Sequence, residues 1–318
     1  MRNSIKKPFF RLFDLFSVPF IFICLPILKF IRYYGVENFP LNLKSFLKIG
    51  VFPIRDHYYE PQLSYSDVFD AKKIRKLRID FHLERQISTL KQLRFSEELK
   101  GFVKDGLPSG DTFYLNNPSF GPGDSELYYL IVRNGKPKKI IEIGSGYSTL
   151  VCLKAIEQNK AEGHPTEMIC IEPYEMKWLE QKKEIKLIRE SVEKVNLDVF
   201  KSLEGNDILF IDSSHIIRPE NDVLFEYLEL LPELNKGVII HVHDIFSPRH
   251  YRTEWLQEEF RFWNEQYLLE AFLYYNDSFE IMYSLNYLKN DAFEDTCKIL
   301  PNVKNEDEPA SFWMRKIK

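Results

Sequence analysis

The chain has 318 residues, of which 44% are hydrophobic and 28% are charged, and its formal net charge is −4. This is the composition of a folded globular protein, so it excludes a disordered or collagen-like chain, and the acidic balance argues against a nucleic-acid partner. The charge is unevenly divided, because residues 1–50 carry a net +6 and the remaining residues a net −10. The sequence therefore predicts a basic head that meets an anionic surface and an acidic body with a separate task.

The head contains a 23-residue apolar stretch at residues 9–31, which would be about 34 Å long as an unbroken helix. Pro19 and Pro26 are expected to break that helix. Because cationic residues flank both sides, we predict monotopic or re-entrant attachment to the inner face of a membrane, with both ends cytoplasmic. The alternatives are an arm packed on the body or on a second copy, and a secretory signal, although no good cleavage site follows.

Four widely spaced cysteines form no CxxC pair, so we expect reduced thiols in the cytoplasm. Four regions are predicted: the head at 1–50, a helical accessory region at 51–120, the main domain at 121–290 and a tail at 291–318. The accessory helix is predicted from apolar residues at helical spacing, which are Ile79, Leu83, Ile87, Leu90 and Leu93.

The main domain alternates strands and helices. A helix at 126–134, capped by Asp124 or Ser125, precedes a strand at 139–143, a glycine-containing turn and a second helix. Four further apolar runs without strict alternation are typical of parallel strands covered on both faces. We therefore predict a doubly wound α/β domain whose ligand site lies at the carboxyl ends of its strands.

Polar residues collect where these strands end, and parallel strands bring such ends to one edge of the sheet. They are Glu142, Gly144, Ser145, Gly146 and Ser148 after the first strand, Glu172 after the second, Asp212 and His215 after the fourth, and His243 and Asp244 after the fifth. His241 precedes them on the fifth strand and is expected on the opposite face from His243.

The first turn indicates a cationic ligand. Gly144 and Gly146 let a ligand approach the backbone, but Glu142 would repel a pyrophosphate, and Thr149 stands where a dinucleotide site has its third glycine. An ammonium or sulfonium group would instead be attracted to Glu142, and Glu172 could accept hydrogen bonds from ribose hydroxyls. Adenosine with a cationic amino-acid tail describes S-adenosylmethionine.

Four segments, EIGSGYST, CIEPY, DILFIDSSH and GVIIHVHDIFSP, resemble motifs of class I S-adenosylmethionine-dependent methyltransferases, in the branch called methyltransferase family 24. The resemblance covers residues 121–288. It implies a Rossmann-like, seven-stranded sheet with an antiparallel C-terminal hairpin that includes residues 279–285. It also implies that Glu142 and the turn at 144–148 surround the methionine tail, that Glu172 holds the ribose, and that Asp212 contacts the cofactor.

Asp212 and Asp244 end adjacent strands and could bind Mg²⁺ through their carboxylates. In metal-dependent relatives such as catechol O-methyltransferase, acids at these strand ends bind magnesium, and a basic residue three positions after the first accepts the proton. His215 stands at that position here, and His243 is a further catalytic candidate. Those relatives carry an amide ligand where this chain has Ile245, so His243, His215 or the substrate would have to replace it.

The sequence thus predicts an S-adenosylmethionine-dependent methyltransferase that acts on a hydroxyl group. A glycolipid or a polysaccharide precursor would suit a membrane-attached enzyme. The alternatives are a hydrolase or an oxidoreductase on the same fold, and a membrane-bound scaffold that keeps the cofactor domain without turnover. Homo-oligomerisation stays open.

Overall fold

The computed structural model describes residues 2–51, 53–54, 70–106 and 111–318, with only the backbone for residues 2–7. The chain divides into two compact units, Met1–Val68 and Phe69–Lys318. The predicted accessory region therefore spans the boundary, and part of it, residues 52, 55–69 and 107–110, lies outside the described residues. The larger unit begins well before residue 121 and runs through the segment predicted as a tail.

The described residues of the first unit form two helices joined by a short 3₁₀ turn. These are α1 (Arg2–Tyr34), the turn at Val36–Asn38 and α2 (Pro40–Ile49). The predicted breaks in the apolar stretch are wrong, because α1 runs without interruption through Pro8, Pro19 and Pro26. A proline removes one backbone hydrogen bond, whereas a full stop would leave several backbone groups unpaired at each helix end.

The second unit begins with irregular chain and then alternates helices and strands. Its helices are α3 (Leu83–Leu90), α4 (Asp124–Gly135), α5 (Tyr147–Ala161), α6 (Leu197–Lys201), α7 (Asp222–Phe225), α8 (Leu231–Glu233), α9 (Thr253–Gln257), α10 (Glu265–Leu273), α11 (Leu285–Asp291) and α12 (Phe293–Ile299). A π-helical turn at Glu226–Leu230 joins α7 to α8. Its strands are β1 (Lys139–Ile143), β2 (Glu167–Ile171), β3 (Ile185–Ile188), β4 (Ile208–Ile211), β5 (Ile239–Val242), β6 (Phe279–Ser284) and β7 (Phe312–Lys316).

The seven strands of the described chain form one sheet in the order β3-β2-β1-β4-β5-β7-β6. The first five are parallel, and β7 is antiparallel to both β5 and β6. The predicted Rossmann-like sheet with an antiparallel C-terminal hairpin is confirmed. Strand β7 lies within the segment predicted as a tail and fills the gap between β5 and β6.

The central strands are mostly apolar because each one packs into two cores. On β1, Ile140 packs into one cluster and Ile141 into the other, and on β4 Ile208 and Leu209 divide in the same way. Successive side chains of a strand point to opposite faces, so a strand covered on both sides needs apolar residues at every position.

Helix α4 confirms the predicted helix but corrects its cap. Gly123 is the N-cap, and its N–H donates to the carboxylate of Glu126 at 3.0 Å. Asp124 is already helical, and its carboxylate accepts the backbone N–H groups of Ala310 and Ser311 at 3.0 and 2.8 Å. Asp124 therefore ties the start of α4 to the segment that enters β7.

Candidate active site

Hydrogen bonds between neighbouring strands continue past the strand ends and align the residues that follow them. The Gly144 N–H donates to the last carbonyl of β2 at 3.0 Å, and the Asp212 N–H donates to the last carbonyl of β1 at 2.9 Å. The His243 N–H donates to the last carbonyl of β4, also at 2.9 Å. The turn after β1 and the acids after β4 and β5 therefore meet at one edge, as the sequence predicted.

A cavity of about 660 Å³ opens at this edge, between the loops that follow β1, β2 and β4. Six of the seven predicted cofactor residues lie on its wall: Gly144, Ser145, Gly146, Ser148, Glu172 and Asp212. The segment 218–222 lines it as well. The site is thus at the carboxyl ends of parallel strands, where open α/β sheets bind their ligands.

Gly144 is required by a close approach of two strand ends. Its φ is +75°, and a Cβ atom there would stand 1.9 Å from the carbonyl oxygen of Asp212. Neither the backbone conformation nor the space suits a side chain. The glycine therefore lets Asp212 lie directly against the turn after β1.

The amino end of α5 supplies donors for an anionic group. The helix starts at Tyr147, directly after the Gly144–Gly146 turn, so its unpaired N–H groups and its partial positive charge lie beside the cavity wall. Ser145 Oγ is buried and has no hydrogen-bond partner among the described residues. Both features fit a bound carboxylate.

Glu172 holds two loops in place. Its carboxylate accepts the N–H groups of Ser145 at 3.3 Å, Tyr174 at 2.9 Å and Glu175 at 2.8 Å. A carboxylate has about four acceptor sites, so these bonds leave capacity for a ligand hydroxyl. Glu172 therefore fixes the shape of the cavity and can also accept a hydrogen bond from a bound ligand.

Glu142 differs from its predicted role. It is 0% exposed and is absent from the cavity wall. It lies between Cys170 and Phe210 in the register of the sheet, and Thr149 of α5 donates a hydrogen bond to it. The side chain points into the face that α5 covers, so burial raises the pKa of Glu142 to about 8, and the neutral acid does not attract a cation.

We expect Glu142→Gln to stabilise the protein increasingly as the pH rises from 5 to 8. The pKa of the buried carboxyl is about 8, against 4.5 for the free side chain, so the folded state binds the proton more tightly and loses stability as that proton leaves. The difference in unfolding free energy between variant and wild type should grow by on the order of 2–4 kcal/mol across this range. Denaturant unfolding at several pH values measures it.

Glu157→Gln, on the exposed side of α5, is the matched control and should leave the pH dependence unchanged. A Glu142→Gln variant with the wild-type pH dependence would show that the Glu142 carboxyl is ionised in the folded protein.

The four predicted catalytic residues form one cluster. His215 Nε2 lies 3.3 Å from Asp212 and 3.4 Å from Asp244, while His243 Nδ1 lies 3.5 Å from each of the same carboxylates. Asp212 also lines the cavity, and its side chain is 31% exposed, against 6% for His215 and 14% for Asp244. Asp212 is thus the member best placed to touch a bound molecule.

Two further carboxylates belong to the cluster, and neither was predicted to be a site residue. Glu265, at the start of α10, lies 2.8 Å from His215 Nδ1 and accepts the hydroxyl of Tyr227 at 3.0 Å. Asp124 lies 3.7 Å from His243 Nε2. Each histidine is therefore held between carboxylates from different parts of the chain.

The backbone is strained at two of these positions. His215 has a φ of +61° and Asp244 a φ of +56°. Non-glycine residues seldom adopt this conformation, and such strain concentrates at functional sites. The backbone N–H groups of Asn264 and Glu265 donate to the carbonyl of His215 at 3.0 and 3.2 Å, which fixes its position.

The carboxylates set the protonation of the cluster. Burial alone would lower the pKa of both histidines. The carboxylates of Asp212, Glu265 and Asp244 raise the pKa of His215 well above its usual range, and those of Asp244, Asp212 and Asp124 do the same for His243. Burial acts to raise the pKa of Asp212, but the two histidines outweigh it and lower that pKa. At Asp244 burial outweighs the histidines, so the pKa of Asp244 is raised.

Two aromatic residues lie beside the cluster, and the position of the first corrects a prediction. His241 shares the face of His243, with ring centroids 5.7 Å apart, because residues two positions apart on a strand point the same way. It is fully buried, and its Nε2 lies 3.0 Å from Ser311 Oγ, so its role is packing. The ring of Trp263 lies 4.4 Å from that of His215 and covers the cluster.

Comparison with known proteins shows which proteins this chain resembles. Residues 141–245 match methyltransferase family 24, described as a methyltransferase domain. An uncharacterised protein of Archaeoglobus fulgidus is 28% identical over 172 residues, which are 50% of this chain and 76% of that protein.

Solved structures with a similar fold include two O-methyltransferases. TomG from Streptomyces achromogenes, in complex with S-adenosylmethionine, is 13% identical, covers 73% of this chain and 90% of its own, and has a TM-score of 0.39. An O-methyltransferase from Bacillus cereus, in complex with S-adenosylhomocysteine, shows the same identity and coverage with a TM-score of 0.35. A structure described as cmcI with magnesium and S-adenosylmethionine is 14% identical, covers 63% of this chain and 73% of its own, and has a TM-score of 0.36.

Proposed function

We propose that this chain, a class I S-adenosylmethionine-dependent methyltransferase, methylates a hydroxyl oxygen, and that its acceptor is a saccharide. The observation that supports oxygen as the nucleophile is the position of Asp212. Its carboxylate lies on the wall of the cavity and within 3.5 Å of both His215 and His243. A hydroxyl group must lose a proton when it is methylated, and this cluster can accept one.

The cavity wall fits the parts of the cofactor. The amino end of α5 and the unpartnered Ser145 Oγ suit the carboxylate of the methionine tail. Glu172 has acceptor capacity left for the ribose hydroxyls. With the tail at the turn after β1 and the ribose at β2, the sulfonium would lie toward β4, where the carboxylate of Asp212 provides negative charge.

S-adenosylmethionine supplies an electrophilic methyl group on a sulfonium sulfur. Asp212 accepts a hydrogen bond from the acceptor hydroxyl and so directs its oxygen at the methyl carbon. With the cofactor bound, the acceptor oxygen would form a bond to the methyl carbon, and the electron pair of the broken carbon–sulfur bond would remain on sulfur. The hydroxyl proton passes to the carboxylate of the Asp212–His215 pair, because the His215 ring is already protonated; that ring holds the Asp212 carboxylate in place, while Glu265 holds its other nitrogen.

The cluster also fits a divalent cation. Asp212, His215 and Asp244 each offer a ligand atom, and these atoms lie within 4.8 Å of one another. The four carboxylates of the cluster outnumber its two imidazoles, and that charge balance suits a dication. Ile245 is fully buried where related enzymes carry an amide, so His215 would be the third ligand. The cation would lower the pKa of the acceptor hydroxyl.

A second cavity supports a saccharide as acceptor. Ring contacts lead from His215 to Trp263 at 4.4 Å, then to Trp255 at 5.1 Å and to Phe246 at 5.2 Å, and Phe246 lines a cavity of about 600 Å³. Polar residues on its wall include Arg249, Arg252, Glu254, Asn286, Asn290 and Glu308. A surface rich in both donors and acceptors suits a molecule with many hydroxyl groups.

Transfer of a labelled methyl group into soluble and lipid extracts tests this proposal. We expect label in a carbohydrate fraction, in an ether linkage that survives alkaline hydrolysis. Label in an amine, a thioether or an alkali-labile ester would contradict O-methylation of a saccharide.

Chelation within the same assay tests the role of a cation. Turnover that falls with EDTA and returns with Mg²⁺ or Mn²⁺ assigns a cation to Asp212, His215 and Asp244. Turnover that persists after chelation leaves proton acceptance to the Asp212–His215 pair alone.

A further inference from the structure

Helix α1 exposes apolar side chains around its whole circumference. Its segment Pro8–Tyr34 is long and apolar enough to cross a membrane, and almost none of it is buried. Neighbouring residues such as Phe20, Phe22 and Ile23 are each about 70% exposed, although they point in different directions from the helix axis. A helix that is apolar on every side needs an apolar surrounding, whereas a helix lying on a membrane surface has one polar face.

The apolar part of α1 matches the thickness of a bilayer. Residues 12–28 lie between Arg11 and Lys29 and are about 26 Å long in an α-helix, close to the hydrocarbon thickness of about 30 Å. Asp14 is the charged residue in this stretch and lies one turn from Arg11, near the polar end. Long cationic side chains at both ends can extend to the headgroups.

The carboxyl end of α1 has the features of a membrane interface. Tyr33 and Tyr34 are at least half exposed and follow Arg32, and tyrosines and cationic residues are enriched at the level of the headgroups. Helix α2 follows after a short turn and combines exposed leucines with two lysines, as interfacial helices do.

We propose that α1 crosses a lipid bilayer once and anchors the chain, with residues after Tyr34 on the cytoplasmic side. Crossing replaces the monotopic attachment predicted from the sequence, because the helix continues through its prolines and has no polar face. The orientation rests on the proposed function, because S-adenosylmethionine is a charged cytoplasmic metabolite. The crossing itself is independent of that function.

Alkaline carbonate extraction of membranes from cells that express the full chain tests the anchor. Wild type should stay in the pellet, and Phe20→Asp combined with Ile23→Asp should shift most of the protein to the soluble fraction. The matched control adds the same two charges at exposed apolar residues of the second unit, Leu228→Asp and Tyr275→Asp, and should stay in the pellet. The proposal would be overturned if the wild type were extracted or if the helix variant stayed in the pellet. It would also be overturned if the membrane-bound protein had a mass showing that the first helix had been removed.

Cysteine labelling determines the orientation. In a Cys24→Ser and Cys297→Ser background, Ser4→Cys should react with a membrane-impermeant maleimide on intact spheroplasts, and Asn42→Cys only after permeabilisation. Protection of both positions until permeabilisation would mean that the helix does not cross. Calorimetry of the detergent-solubilised wild type with S-adenosylmethionine reports on the cofactor site separately, so failure of the anchor and failure of the proposed function are distinguishable.

Discussion

Replacing His215 with asparagine should lower the turnover number by about 10³-fold and leave the affinity for S-adenosylmethionine within about threefold of the wild type. His215 holds the Asp212 carboxylate in place, and the magnitude is typical of disabling a positioned proton acceptor. His215 contacts Asp212 and Asp244 through Nε2 but does not line the cofactor cavity, so its loss affects proton transfer more than binding. Asparagine is chosen because it tolerates a positive φ better than alanine.

Steady-state methyl transfer and calorimetry measure the two quantities separately. His164→Ala, at an exposed position beyond the end of α5, is the control and should retain full turnover. Turnover close to wild type in His215→Asn would remove His215 from the mechanism. An equal loss of cofactor binding would assign it a structural role instead.

Replacing Gly144 with alanine should abolish most cofactor binding and destabilise the fold. A left-handed conformation costs a non-glycine residue about 1–2 kcal/mol. In addition, the new methyl group would stand 1.9 Å from the Asp212 carbonyl, so the ends of β1 and β4 must separate. We expect a total loss of about 3 kcal/mol and a fall in the melting temperature of roughly 6–12 °C. Affinity for S-adenosylmethionine should fall at least about tenfold.

Gly135→Ala is the matched control for this substitution. Gly135 is the last residue of α4, and a Cβ there meets nothing within 4 Å, so stability and binding should be nearly unchanged. Wild-type cofactor affinity in a folded Gly144→Ala protein would contradict the assigned position of the cofactor.

The sequence was sufficient to locate the edge of the sheet where the site lies. Apolar runs that stop at Glu172, Asp212 and Asp244 reveal both the strands and the residues that follow them. Parallel topology then brings these residues together without any knowledge of side-chain contacts. The structure accordingly brings both His215 and His243 within 3.5 Å of the carboxylates of Asp212 and Asp244.

The sequence pattern does not show in which direction a side chain points or which distant residues it contacts. Glu142 is one residue from the end of β1, and only the position of α5 shows that it points into the core. Asp124 and Glu265 contact the histidines from helices that are distant in the sequence. Each stands at the start of its helix, where acidic residues are common, so the sequence does not mark it as a site residue. Strand β7 was missed because its short apolar pattern lies beyond the recognisable motifs.

In the head, a clear local signal in the sequence led to a wrong prediction. Pro19 and Pro26 are strong local signals, and they predict breaks that the helix does not have. The cost of a proline is local, whereas ending a helix inside an apolar stretch would expose several backbone groups at once. The continuous helix is the basis of the proposal that α1 spans a membrane, in place of the monotopic or re-entrant attachment expected from the sequence.

Calorimetric titration of the full chain with S-adenosylmethionine tests the central claim most directly. We predict one cofactor molecule bound per chain, displacement by S-adenosylhomocysteine, and no heat of binding with NAD. Absence of binding by S-adenosylmethionine, or displacement of it by NAD, would contradict the account.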